Sequence, residues 1–334
     1  MAQYSRDNCP CPRCRRQDTL QRQVDIFSSR SEGHRARSGM YITSAFMMTF
    51  AVSNYVQGER ITLVFTPGNG YLNIVHGTST TRKGLDLRIL WTADSIKENP
   101  PSVQYDEVMA NDAGVGRWIR MIREFGFCFV DGVPVCPHKT QELLERISFV
   151  RHTHYGGFYD FTSDLTMKDT AYTSEAIGPH TDTTYFTDPV RLQMFHLLSH
   201  EDGVGGESLL VDGYKAAEEL GSRDREILSY YAISWHASGN DGITITPSQG
   251  FPIISSKRAP VQIRWNNADR RTVNPRVFEK WAGSAKAFNN IVNDPKMQYW
   301  EQLRPGRALI NNDDYRSRYL NTIYPRDEVI RHIL

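Results

Sequence analysis

His180 and Asp182 stand two residues apart in residues 177–186, IGPHTDTTYF. In an extended chain, side chains at i and i+2 point to the same face. An imidazole and a carboxylate on one face can share one metal ion. They make up two thirds of the 2-His-1-carboxylate facial site of non-haem Fe(II) oxygenases. The spacing alone carries little weight: with 10 His and 22 Asp in 334 residues, chance supplies about 0.7 such pairs by simple composition counting. The third donor and the surrounding text must decide the matter.

A second constellation lies near the start. Cys9, Cys11 and Cys14 form C-x-C-x-x-C inside RDNCPCPRC (6–14). Three thiolates within six residues repel one another unless a cation neutralises them. A structural Zn²⁺ takes four ligands, so one more is needed. His76 (IVHGTS) is the best placed, with His34 (EGHRAR) behind it. Cys128 and Cys136 sit in an apolar stretch and read as core fillers. Five cysteines, three of them packed together, suit a reducing compartment and a metal site better than a disulfide framework.

Composition limits the function classes. The hydrophobic share of 40%, the charged share of 23% and a formal net charge of +1 are ordinary globular values. No basic field recommends nucleic acid or an anionic membrane as a partner. The longest apolar run, residues 41–56, is too short and too polar to span a bilayer. No secretory signal is visible, so the expected location is cytoplasmic or mitochondrial.

The elements that position these residues are strands, with helices beside them. Residues 60–65 (RITLVF) read as a strand within an otherwise irregular stretch, 1–104. Residues 115–125 have helical apolar spacing, Gly126 closes the helix, and 127–130 follows as a strand. Residues 139–150 are a second amphipathic helix. Residues 191–198 and 207–211 read as a hairpin turned by Gly205-Gly206, and Asp212 caps a helix to residue 220. Residues 261–265 (VQIRW) are another strand. A long helix, 274–293, carries Val277, Trp281, Ala285 and Phe288 on one face. This pattern predicts a mainly β fold with packed helices: a double-sheet jelly roll preceded by a small N-terminal lobe. The boundary falls at residue 104, giving a zinc-binding domain over 1–104 and a catalytic domain over 105–334.

Five stretches together resemble the γ-butyrobetaine and trimethyllysine dioxygenase family of carnitine biosynthesis. They are RDNCPCPRC (6–14), FYDFTSDLTMKDTAYTSEAIGPHTDTTYF (158–186), GGESLLVDGYKAAEEL (205–220), WHASGN (235–240) and IRWNNADR (263–270). The resemblance implies a double-stranded β-helix core and an N-terminal zinc domain. It implies Fe(II), 2-oxoglutarate, O₂ and ascorbate, with trimethyllysine as substrate and a homodimer as the assembly. A quaternary ammonium cannot donate hydrogen bonds and needs aromatic faces. Tyr155, Tyr159, Tyr172 and Tyr185 surround the metal motif, and by resemblance Tyr159 and Tyr172 fall at cage positions. Asp169 is placed to pair with an α-ammonium, which favours trimethyllysine over γ-butyrobetaine.

The chain also departs from that family. The resemblance places a second iron histidine in a motif like DNWRVLHGR, with an arginine for the 2-oxo acid soon after. Here RPGRALI (304–310) runs directly into NNDDYRSRYLNTIYPRDEV. A segment of roughly two dozen residues is missing after Ile310, and with it the distal His and the co-substrate Arg. The expected consequence is that neighbouring strands lose ladder partners. The remaining histidines downstream of His180 are His196, His200, His236 and His332, the last in an expected helix; Arg307, Arg316 and Arg318 are the nearby arginines.

Overall fold

The computed structural model describes residues 7–17, 19–27, 88–162, 178–200, 206–238, 242–255 and 262–312, together with short strands at 55–56, 59–60, 62–65, 72–75, 317–320 and 329–333. For residues 159–162 and those short strands the backbone alone is described. The chain forms two compact units, residues 37–87 and residues 1–36 with 88–334. In the smaller, β1 (Tyr55–Val56) pairs with β2 (Glu59–Arg60), and β3 (Thr62–Phe65) with β4 (Leu72–Val75), both antiparallel. The strand expected at 60–65 is therefore divided between β2 and β3.

The larger unit is built on two sheets. The first contains β5 (Ser102–Gln104), β6 (Phe127–Asp131), β7 (Phe158–Thr162), β8 (Leu192–Leu197), β13 (Arg307–Asn312) and β15 (Val329–Ile333), in the order β5-β6-β13-β8-β15-β7. The second contains β9 (Glu207–Val211), β12 (Gln298–Gln302) and β14 (Ser317–Leu320), in the order β12-β9-β14. Only β5–β6 is parallel in these two sheets; the other pairings are antiparallel. A further short pair, β10 (Ala237–Ser238) and β11 (Thr244–Ile245), stands apart.

Side-chain alternation sorts three cores. Phe127 and Phe129 of β6, Phe195 and Leu197 of β8, and Leu309 of β13 meet Leu210 of β9 and Tyr299 of β12, filling the space between the sheets. The alternate residues Cys128, Val130, Met194, Ala308 and Ile310 face outward onto helices. These are α2 (Tyr105–Ala110), α3 (Asp112–Phe125) and α4 (Pro137–Glu145), which follow a single short turn, α1 (Ala93–Ile96). Leu209 and Val211 lie on the far side of β9. They pack on α5 (Gly213–Glu219), α6 (Ser222–Tyr230) and α7 (Pro275–Val292). Burial on both faces explains why β6, β8 and β13 read as near-continuous apolar runs.

Several expected elements appear as read. α3 ends at Gly126 with φ 78°, the left-handed conformation that favours glycine, and its N–H returns to Ile122 O at 2.7 Å. Asp212 caps α5 by accepting from Tyr214 N and Lys215 N. Asn274 caps α7, whose buried face includes Trp281, Ala285 and Phe288.

Others differ. The helix expected to residue 150 ends at Glu145; Ile147 N turns back to Leu144 O in a tighter loop, and β-branched Ile147 and Val150 favour the exit. β8 and β9 are not a hairpin, because they lie in different sheets. Residues 261–265 form no ladder: a single bridge, Ile254 to Ile263, stands there, and Trp265 N bonds to the Thr181 hydroxyl. His332 lies in strand β15 rather than in a helix. The ladders next to the missing segment are also complete. β8 lies between β13 and β15, and β9 between β12 and β14, so the chain after residue 312 re-enters both sheets.

Candidate active site

Residues 178–186 form turns rather than the extended strand that the i, i+2 reading assumed. Thr183 takes φ +50°. Its carbonyl accepts from Phe186 N at 2.9 Å and its hydroxyl from Val190 N at 2.9 Å. Thr181 is sewn to Trp265 twice, N–H to carbonyl at 2.6 Å and hydroxyl to N–H at 2.9 Å. These bonds, rather than a ladder, bring His180 and Asp182 together.

His180 Nε2 lies 3.1 Å from Asp182 Oδ1, and His180 Nδ1 is 2.8 Å from Gly178 O. With Nδ1–H donating to that carbonyl, Nε2 is left as the lone-pair donor. Two ligands about 2.1 Å from one ion and about 90° apart are separated by about 3.0 Å, using typical metal–N and metal–O lengths. The observed separation suits adjacent coordination positions, so the pair fits an Fe(II) ion.

Arg264 braces the loop. Its Nη1 donates to Thr184 O and Phe186 O at 3.0 and 2.8 Å, and Nη2 to Thr187 O at 3.3 Å. Its guanidinium lies 4.0 Å from the Phe251 ring centre and 5.7 Å from that of Trp235. A planar fork with stacked faces is work that lysine cannot do.

His180 and Asp182 open onto a cleft of about 780 Å³. Its other walls are Thr183, Tyr185, residues 265–269, Asn289 and Asn293 at the end of α7, and Arg16 with residues 21–25 of the N-terminal segment. Such a volume suits a small-molecule ligand. Tyr185 is buried and its hydroxyl donates to Tyr155 Oη at 3.4 Å. His154 lies against both rings, at 3.9 Å from Tyr155 and 5.9 Å from Tyr185 between centres. The side chains of Tyr159, Asp169 and Tyr172 lie outside the described residues.

Cys9, Cys11 and Cys14 place their sulfurs within 4.8 Å of one another. Four sulfurs around Zn²⁺ at about 2.3 Å would stand about 3.8 Å apart, so the three fit that ion. The Cys14 thiol is pushed up to about 12 by burial and by its sulfur neighbours, while Cys11 is lowered, chiefly by a hydrogen bond from Cys9. His76 and His34 lie outside the described residues. Cys128 is buried and Cys136 half-buried at the start of α4.

The cysteine turn leads into a small hairpin. Arg15 bridges Arg22, and Arg16 N–H reaches Gln21 O at 2.9 Å. Asp7, 0% exposed, ties this segment to the core. Its Oδ1 accepts from Arg22 Nε at 3.0 Å and Oδ2 from Arg270 Nη1 at 2.9 Å. Burial alone would raise the Asp7 pKa, but Arg270 and then Arg22 outweigh it and hold the carboxyl below its usual value.

Among the described residues, His196, His200 and His236 do not join His180. His196 is buried on the helix side of β8, with Nδ1 2.7 Å from the Thr140 hydroxyl. His200 faces Gln302, and His236 faces Ser238. Burial, then the charges of Arg15, Arg22 and Arg271, hold His236 at about 4. Arg307 lies over Phe129 and pairs with Asp131 and Glu301. None of these residues lines the cleft. Among the described residues, the three cysteines are the one group of three metal-donor side chains. Sequence reasoning missed Arg22 and Asn267 as wall residues. The only signal was that Asn267 lies in the matching segment 263–270 and Arg22 follows closely on the one at 6–14.

Residues 91–313 match the Taurine catabolism dioxygenase TauD, TfdA family. The chain is 37% identical to the trimethyllysine dioxygenase of Neurospora crassa, across 99% of this chain and 82% of that protein. It is 34% identical to the human mitochondrial trimethyllysine dioxygenase across 68% of this chain and 56% of that protein. The Neurospora alignment runs over 396 residues against the 334 of this chain, so at least 62 positions there have no counterpart here. Among solved structures, asparagine oxygenase in complex with Fe(II), 2S,3S-3-hydroxyasparagine and succinate superposes with a TM-score of 0.55, at 10% identity, over 70% of this chain and 93% of that one. That likeness shows the fold.

Proposed function

We infer the function from the family: the chain belongs to the TauD, TfdA dioxygenases and, within them, to the trimethyllysine dioxygenases. It is an Fe(II)- and 2-oxoglutarate-dependent enzyme that hydroxylates N6,N6,N6-trimethyllysine to the 3-hydroxy product, the first step of carnitine biosynthesis. The observation that carries this reading at the site is the His180–Asp182 pair, 3.1 Å apart and oriented by Gly178, opening on the cleft.

In this reading His180 Nε2 and Asp182 Oδ1 hold Fe(II). The ion, when bound, supplies oxidation of the 2-oxo acid by O₂ coupled to insertion of one oxygen into a C–H bond. The chain's own contribution is placement. Thr181, Thr183 and Arg264 fix the donor loop, and Tyr185 with Tyr155 gives an aromatic wall for the quaternary ammonium. Tyr159 and Tyr172 complete that cage, and Asp169 takes the α-ammonium. Zinc is held by Cys9, Cys11 and Cys14, whose sulfurs stand within 4.8 Å of one another. Ascorbate as reductant, a homodimer, and a mitochondrial or cytoplasmic location complete the reading. Among the described residues no helix is long and apolar enough to cross a membrane.

One observation favours a second reading, a family member that binds its ligands without turning over. The chain lacks counterparts for at least 62 positions of its Neurospora relative, and among the described residues the cleft wall has no second histidine. Incubating the purified chain with trimethyllysine, Fe(II), 2-oxoglutarate and ascorbate separates the two: a one-oxygen mass gain supports turnover, and none supports the second reading. Asp182→Ala tests the metal pair in either case. Iron content equal to wild type in that variant sinks the assignment of this loop.

A further inference from the structure

Arg22 is a wall residue of the cleft that holds His180 and Asp182. Its side chain is 3% exposed. Only Nε is used, donating to Asp7 Oδ1 at 3.0 Å. Nη1 and Nη2 are buried, and neither has a hydrogen-bond partner among the described residues. Buried polar groups are nearly always paired, and guanidinium nitrogens are costly to leave bare. Asp7 meets Arg22 at Nε alone, while the Arg270 fork spans both of its oxygens, at 2.9 and 2.5 Å. Two buried guanidinium groups thus share one carboxylate, and one positive charge is left over. Burial first, then Arg270, lowers the Arg22 pKa to about 9, which leaves it charged at neutral pH.

The three other carboxylates of the cleft do not supply the missing anion. Asp269 accepts from Gln21 at 2.8 Å and Asn266 at 2.8 Å, Asp25 from Phe27 N at 2.8 Å, and Asp182 lies against His180. The backbone fixes where Arg22 stands. Its N–H donates to Ala268 O at 3.1 Å, and three residues earlier Trp265 is bonded to Thr181, next to His180. The same short segment therefore has the metal loop on one side and the arginine on the other.

We propose that the cleft contains a carboxylate-binding subsite anchored by Arg22, an arginine delivered to it by the cysteine-bearing hairpin of the N-terminal segment. Two free N–H-bearing nitrogens of a guanidinium match the two oxygens of a carboxylate. The substrate amino acid and the 2-oxo acid both carry that group, and the proposal rests on the functional reading above only for which of them is the ligand.

The test is calorimetric titration of the full chain, wild type and Arg22→Gln, with and without Fe(II) under anaerobic conditions. Four probes are used: trimethyllysine, its decarboxylated analogue (5-aminopentyl)trimethylammonium, 2-oxoglutarate and glutarate. Charge-assisted hydrogen bonds predict a weakening of at least about tenfold for the anchored carboxylate. If trimethyllysine weakens while the decarboxylated analogue binds both proteins equally, the subsite holds the substrate carboxylate. If 2-oxoglutarate and glutarate weaken while trimethyllysine does not, it holds the co-substrate. Equal binding of all four probes to both proteins overturns the proposal. Should wild type bind neither trimethyllysine nor 2-oxoglutarate, yet bind glutarate in an Arg22-dependent way, the subsite stands and the functional reading falls. Arg22→Lys covers the case in which the glutamine variant does not fold. Its ammonium keeps the Asp7 pair but loses the fork, so carboxylate binding should weaken several-fold, and unchanged binding overturns the proposal.

Discussion

Replacing Asp7 by Asn should cost more stability than any other single substitution in the N-terminal segment. Asp7 is 0% exposed, and its partners Arg22 and Arg270 are 3% and 1% exposed. Arg270 also lies 4.6 Å from the centre of the fully buried Trp281 ring, so it has no route to water. The substitution removes the negative charge and leaves two buried guanidinium groups facing one another. Breaking a buried pair in this way costs about 3–5 kcal/mol. An unfolding entropy of about 2.1 cal/mol/K per residue, over a unit of roughly 280 residues, gives about 0.6 kcal/mol/K and a fall in Tm of about 5–8 °C. Differential scanning calorimetry of the zinc-loaded proteins at neutral pH measures it. The folded pKa of Asp7 lies below its unfolded value because Arg270 and Arg22 outweigh burial. Its stabilisation is therefore present above an unfolded pKa of about 3.9 and disappears as pH falls through the lower folded value. The two melting curves should stay separated from pH 5 to 8 and converge only in strong acid. A variant melting within about 1 °C of wild type at pH 7 would refute the reasoning.

Three further outcomes follow from the structure. Arg264→Met removes the fork that fixes the carbonyls of Thr184, Phe186 and Thr187, and should weaken Fe(II) binding by about tenfold to a hundredfold through the donor loop; metal titration reads this, and unchanged affinity counts against Arg264 as a positioning residue. Gly114→Ala would put a methyl carbon 1.9 Å from the Glu107 carbonyl oxygen between α2 and α3, so a loss of about 1–3 kcal/mol is expected from denaturant unfolding, and a neutral result would mean that the two helices separate freely. Cys11→Ser removes one of three sulfurs within 4.8 Å and should bring zinc content, measured by mass spectrometry, close to zero; retained zinc sinks the site.

What was legible in the sequence was mostly local. The glycine stop at Gly126 and the cap at Asp212 act within a few residues, and both stand where the sequence puts them. The apolar runs of β6 and β8 were equally plain, because burial on both faces leaves no polar alternation. Pairing was not legible. Gly205-Gly206 between two apolar runs reads as a hairpin, yet β8 and β9 join different sheets, a choice made by partners more than 85 residues away in β12 and β13. The metal pair was found by its spacing but for an incomplete reason. Its geometry comes from a left-handed Thr183 and from Trp265, more than 80 residues on, and no strand period encodes either. The gap expected after Ile310 rests on the resemblance to relatives. Its structural consequence was overstated, since β14 and β15 supply the ladder partners whose loss was expected.

The segment from Trp265 to Arg270 joins the cysteine-bearing hairpin to the His180–Asp182 loop. Trp265 binds Thr181 through both its N–H and its carbonyl. Ala268 O holds Arg22 N, the Asp269 carboxylate holds the Gln21 amide, and Arg270 holds Asp7. Six consecutive residues thus fasten the His180–Asp182 loop on one edge and the cysteine-bearing hairpin on the other. None of them sits in a regular strand or helix, so their conformation depends on what they bind rather than on a ladder. Residues 234–236 hold the same segment from a third side: His236 N donates to Asp269 O at 3.0 Å, Arg271 N to Ser234 O at 2.8 Å, and Trp235 Nε1 to Asn266 O at 3.0 Å. The cysteine-bearing hairpin thus supplies Arg16 and residues 21–25 to the wall of the cleft, and a substitution that displaces it alters the cleft beside His180 and Asp182.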